Sequence, residues 1–121
     1  MGAFVARPKL RQGESVEESV FANRVQGGRA IGGKLFITND RLLFVPHRID
    51  KLLGGEVVAI ELARTASIEA AVPDGSFFTG GHRRRLEVRN REGRAEMFVV
   101  NHVDAVAQRI DAIRQRGAPR H

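Results

Sequence analysis

The chain has 121 residues, 42% of them hydrophobic and 28% charged, and a formal net charge of +6. That is the length of one domain, enough to bury a continuous apolar core, and the composition lies outside the disordered range. Cysteine is absent, which excludes disulfides, thiolate metal sites and a cysteine nucleophile, and fits a reducing cytoplasm.

No apolar run approaches the roughly 18 residues needed to cross a bilayer. The N-terminal stretch Met1-Gly2-Ala3-Phe4-Val5-Ala6 is too short for a signal-peptide core, and Ala6 stands where a myristoylation motif needs Ser or Thr. The expectation is a cytoplasmic protein whose membrane contact, where it has one, is peripheral. The positive charge is nearly all arginine, since the lysines are Lys9, Lys34 and Lys51. Such a balance favours anionic partners: acidic lipid headgroups, acidic protein surfaces or nucleic acid.

Residues 1–13, with Pro8 and Gly13, read as an N-terminal arm. Imperfect alternation from Ser15 to Gln26 predicts a first strand, and Gly27-Gly28 and Gly32-Gly33 bracket an expected glycine-rich turn. Lys34–Thr38 and Leu42–Val45 are rich in β-branched and aromatic residues, and only Asn39-Asp40-Arg41 separates them. That pattern predicts an antiparallel hairpin, stopped at Pro46, which has no N–H to donate. A loop from Ile49 to Gly55 follows, then strands over Val57–Leu62 and Thr65–Val72, and a turn at Pro73-Asp74-Gly75. After a long loop, Ser76–His82, a second hairpin joins Arg83–Asn90 to Glu96–Val100.

The period then changes. Val103, Val106, Ala107, Ile110 and Ile113 recur at helical spacing, with charged residues between them. Asn101 is the expected N-cap and Asp104 its acidic partner three residues on; Gly117 and Pro119 end the helix. Seven strands joined by short turns make an antiparallel sheet whose apolar face needs a cover, and the helix supplies it. The expected core is Leu35, Ile37, Phe44, Leu86, Val88, Phe98 and Val100, with the helix packing through Val103, Val106, Ile110 and Ile113.

Gly13-Glu14, the run Gly33-Lys34-Leu35-Phe36-Ile37-Thr38-Asn39, Arg41-Leu42-Leu43-Phe44-Val45-Pro46, Ile60-Glu61-Leu62 and Phe98-Val99-Val100 together resemble the GRAM domain. The resemblance covers roughly residues 13–116 by pattern reading. It implies a mostly-β, pleckstrin-homology-like barrel of seven antiparallel strands capped by the C-terminal α-helix. The corresponding organisation is an arm at 1–13, a stand-alone GRAM-like domain at 14–117 and a tail at 118–121. Members of that family bind phosphoinositides or other membrane lipids, or act as protein-interaction modules. The basic signature of phosphoinositide-binding pleckstrin domains is not reproduced here, because Arg24, Arg29 and Lys34 lie nearby at a different spacing.

Gly28-Arg29-Ala30-Ile31-Gly32-Gly33-Lys34 matches a phosphate-binding loop as far as the lysine, but Leu35 follows in place of Ser or Thr and opens a strand rather than a helix. None of His47, His102, His82 and His121 has metal-ligand spacing to another, so no metal is expected; His47 is expected to end a strand in solvent and His102 to open the helix. Glu17-Glu18, Asp40 and Asp50 read as solvated charges with no catalytic arrangement, so the chain is expected to be a non-enzyme without a cofactor. Nucleic acid is disfavoured, since Tyr and Trp are absent and the Phe residues follow core-like alternation.

Two features remain. Phe77-Phe78 lies in a glycine-bounded loop, followed by Arg83-Arg84-Arg85. An apolar tip backed by arginines suits the acyl–headgroup boundary of an anionic membrane. The expected function is therefore peripheral binding to anionic lipid through Phe77, Phe78, Arg83, Arg84, Arg85, Arg29 and Lys34. The alternative is protein–protein interaction, as an adaptor or a homo-oligomer.

Overall fold

The computed structural model describes residues 7–48, 55–71 and 84–117. Seven strands form one antiparallel sheet: β1 (Val16–Gln26), β2 (Arg29–Thr38), β3 (Arg41–Pro46), β4 (Val58–Glu61), β5 (Thr65–Ala71), β6 (Arg85–Asn90) and β7 (Ala95–Val100). A 3-10 turn, Leu62–Arg64, separates β4 from β5, and the helix α1 spans Val103–Arg116. The order across the sheet is β4-β3-β2-β1-β7-β6-β5.

The alternation read from the sequence places the core as expected. Leu35, Ile37, Phe44, Leu86, Val88, Phe98 and Val100 are buried, and so are Val106, Ile110 and Ile113 of the helix, with Val103 packed against them. The rings of Phe44 and Phe98, 5.7 Å apart between centroids, bring β3 and β7 together across the core.

The glycine pairs behave differently from the expected turn. Gly27-Gly28 alone reverses the chain, with Gly27 at φ +62, a conformation that glycine adopts without penalty in a two-residue hairpin. Gly32-Gly33 lies inside β2, which therefore begins five residues earlier than predicted. A Cβ on Gly33 would sit 2.8 Å from Pro46 Cα and 2.9 Å from the Phe44 ring. The bare backbone is what lets β3 cross so close, and that constraint is invisible in a glycine-rich string.

The expected barrel is not formed. β4 and β5 are the two outer strands of an open sheet, with no ladder between them among the described residues. Two hydrogen bonds show why. Leu62 N–H donates to Asp40 O at 3.0 Å, tying the end of β4 to the β2–β3 turn, while Arg91 N–H donates to Arg64 O at 3.1 Å, sending β5 toward the β6–β7 turn. The three-residue 3-10 turn thus passes the chain from the β2–β3 turn to the β6–β7 turn with no β4–β5 ladder among the described residues, and β4 is too short for the staggered ladder that closure requires. The helix packs over β5, β6 and β7.

The helix start also departs from expectation. The residue before it is His102, in the left-handed conformation (φ 54, ψ 52) and without a side-chain cap bond. Val106 N–H donates to His102 O at 3.0 Å. A two-residue link must turn β7 into the helix, and the left-handed residue that makes this turn displaces Asn101 from the cap. Asp104 accepts from Arg84 instead of reaching back to the first turn.

One polar cluster fastens the N-terminal segment to the β2–β3 turn. The buried Glu14 carboxylate accepts from Arg41 Nε at 2.9 Å and Nη2 at 2.7 Å, from Thr38 Oγ1 at 2.6 Å and from Arg11 N–H at 2.9 Å. The Thr38 hydroxyl oxygen in turn accepts from Asp40 N–H and Arg41 N–H. Asn39 bridges to Ser15 N–H and Gly13 O. Four donors on one carboxylate favour its charged form, and Arg41 leads in holding the Glu14 carboxyl down at about 2.

Two outcomes follow from this packing. Ile110→Asp would bury an unpaired charge at a fully enclosed position, costing several kcal/mol, and should lower the melting temperature by more than ~10 °C in a thermal melt. Because the folded pKa of Glu14 is depressed, its contribution, about 3 kcal/mol, is complete well above pH 4.5 and is lost as pH falls toward 2. Urea unfolding of Glu14→Gln should show a loss of about 2 kcal/mol at pH 7 and a shallower decline than the parent across that acid window.

Candidate binding surface

Alternation along β1 and β2 sends Ser19, Phe21 and Asn23, together with Gly32, Lys34 and Phe36, to the face turned away from the core. The register sets Phe21 opposite Lys34 and Lys34 opposite Val45, with Ser19, Phe36 and Leu43 in the next row. An antiparallel sheet with one face on a core ordinarily presents polar residues on the other. Here the second face carries Phe21, Phe36, Leu43 and Val45. Leu43 and Val45 are buried even there, and Phe21 is 58% exposed. The Lys34 ammonium lies 5.1 Å from the Phe21 ring centroid and 5.9 Å from that of Phe36, a double cation–π contact that holds the charge at the level of the rings.

Beside this face, three open depressions adjoin one another around the β7–α1 junction. One of about 470 Å³ is lined by Arg84, Val100, His102, Val103 and Asp104. The next, about 340 Å³, runs between β1 and α1, lined by Glu18, Val20, Phe21, His102, Ala105 and Arg109. The third, about 320 Å³, is lined by Phe21, Asn23, Gly33, His47, Val99 and Asn101. Phe21 is the ridge between the last two. His47 does not simply end its strand in solvent: it is half-buried, and its Nδ1 has no hydrogen-bond partner among the described residues.

The charges around the rim are arranged in pairs. Arg84 reaches Asp104, Arg109 reaches Glu18, and Arg116 holds both oxygens of Glu17 at 2.7 Å. Hydrogen bonding to the accepting Glu18 carboxylate pushes the Arg109 guanidinium above its ordinary range. Arg24 Nε donates to Glu96 at 2.8 Å, and Arg11 reaches Glu61. The pair Glu17-Glu18, expected to be solvated, instead binds the helix to β1.

The residues singled out from the sequence are dispersed. Lys34 lies on the outer face, and Arg84 flanks the opposite end of the rim, engaged with Asp104. Arg85 is buried at the start of β6, and Arg29 is exposed where β2 begins, by the β1–β2 turn. Phe77, Phe78 and Arg83 lie outside the described residues. Phe21 and His47 were not singled out as binding residues, and no local signal marks them: Phe21 gains its role from the register that sets it against Lys34. Among the described residues no group of three or more His, Asp or Glu side chains could hold a metal ion, and no helix is long and apolar enough to cross a membrane.

No protein-family model matches this sequence, and no curated protein matches it. Similarity appears at the level of structure. The chain is similar to the C-terminal domain of an unknown protein from Leishmania infantum, with a TM-score of 0.66 and 19% identity over 86% of this chain and 87% of that one. It is also similar to the N-terminal PH domain of Vps36, with a TM-score of 0.66 and 16% identity over 91% of this chain and 86% of that one. The protein therefore has a pleckstrin-homology-like fold, built as an open seven-stranded sheet with a C-terminal helix.

Proposed function

We propose that the chain is a non-catalytic binding module of GRAM type that docks peripherally on anionic membrane lipid at the cytoplasmic face. The observation that carries this reading is the distribution of charge. The carboxylates of Glu14, Glu17, Glu18, Glu56, Glu61, Glu87, Glu96, Asp104 and Asp111 are all engaged by arginines within the molecule. Nine of the fourteen acidic residues are thereby neutralised internally, and the net charge of +6 favours an outside anion. The pleckstrin-homology-like fold supports a binding role. Phe77, Phe78 and Arg83 belong to the proposal by their sequence alone.

A protein-interaction module is the second reading, favoured by the outer strands β4 and β5, which offer unpaired edges among the described residues. Sedimentation with vesicles separates the two. The chain should pellet with phosphatidylcholine vesicles containing a fifth phosphatidylserine, and progressively less as salt rises, because screening weakens attraction between exposed charges. Equal partition to pure phosphatidylcholine, or none to either, rejects the lipid reading.

A further inference from the structure

The outer face of β1–β3 breaks the usual division of a sheet into apolar and polar sides, and it does so around a single cation. Lys34 forms no ion pair with any described carboxylate, and the residues of this face, from Ser19 to Asn23 and from Gly32 to Phe36, include no acid. Among the described residues the face thus has no counter-charge of the kind that Arg84, Arg109 and Arg116 have.

We infer that this face, centred on Phe21 and Lys34, is the surface that meets an anionic lipid bilayer, with the Phe21 ring entering the acyl boundary and Lys34 contacting a lipid phosphate. The inference rests on the lipid reading above and locates it. Three observations select this occupant. Phe21 stands 58% exposed as the ridge between two open depressions, which suits insertion into a fluid boundary more than capture of a peptide. The cation–π contacts keep the ammonium beside the rings, so entry of the ring brings the charge to headgroup depth. Beside Phe21, the open depression of about 320 Å³ offers the exposed Asn23 amide to a headgroup. A second copy of the chain fits poorly, because a two-fold interface centred here would bring Lys34 against its own mate with no acid among residues 19–23 and 32–36 of either copy.

The sequence contains neither Trp nor Tyr, so Phe21→Trp creates the sole strong fluorophore of the chain. With vesicles containing phosphatidylserine its emission should shift to the blue and be quenched by lipids brominated in the acyl chain. Pure phosphatidylcholine vesicles and soluble polyglutamate should leave it unchanged. Lys34→Glu, made in the unsubstituted chain and checked for an unaltered melting temperature, should weaken vesicle binding by about tenfold or more. A Phe21→Trp chain that pellets with anionic vesicles while its emission stays unshifted and unquenched overturns the assignment and leaves the lipid reading standing. Full binding by Lys34→Glu does the same, and holds even where Phe21→Trp fails to fold. An emission shift with polyglutamate but not with vesicles gives the face to an acidic protein segment and overturns the inference. Absence of vesicle binding by the parent chain defeats the lipid reading itself.

Discussion

The molecule is organised around a single short junction. β1 pairs with β2 along nearly all of its eleven residues but meets β7 through three pairs only, Ala22–Val100, Asn23–Val99 and Arg24–Phe98. Those pairs join β1–β4 to β5–β7, so the seven strands count as one sheet because of them. The junction is reinforced on both sides. Arg24 grips both oxygens of Glu96, at 2.8 and 3.2 Å, and the Phe44–Phe98 contact fills the core behind it. A charge-assisted fork of this kind fixes geometry as well as adding energy.

Because the ladder to β7 stops at Ala22, the first half of β1 has no strand on that side among the described residues, and α1 lies beside it. The straps from Arg109 to Glu18 and from Arg116 to Glu17 hold the helix there. Exposed pairs of this type stabilise little. Their effect is positional: they keep α1 beside β1 and leave open depressions on either side of Phe21. The outer face and the rim around the β7–α1 junction are thus consequences of where one ladder ends.

The same economy governs charge. A surplus of arginine reads in the sequence as a surface prepared for anions, yet the folded chain commits most of the arginines named above to its own carboxylates. The densest basic run illustrates the point: Arg84 braces the first helical turn through Asp104 and Arg85 is enclosed in β6. Lys34, one of three lysines among many arginines, is a cation with no carboxylate partner among the described residues. Local density of charge therefore pointed to Arg84, whose charge is already paired, because partners such as Arg84 and Asp104, or Glu18 and Arg109, lie 20 and 91 residues apart.

What the sequence determined by itself is local and periodic. Two-residue alternation located the strands and their core side, the 3.6-residue period located α1 and its buried stripe of Val106, Ile110 and Ile113, and the tight connection at Asn39-Asp40 identified the central hairpin. These follow from which side chains must leave water, a property each segment carries alone. What only the tertiary structure decided depends on segments meeting. The open sheet follows from Leu62 bonding to Asp40 and Arg64 to Arg91. The place of Gly33 inside a strand follows from the approach of Pro46. The left-handed His102, and with it the loss of Asn101 as cap, follows from the angle between β7 and the helix. The setting of Phe21 against Lys34 follows from the β1–β2 register, which a sequence pattern leaves free until the Gly27-Gly28 turn fixes it.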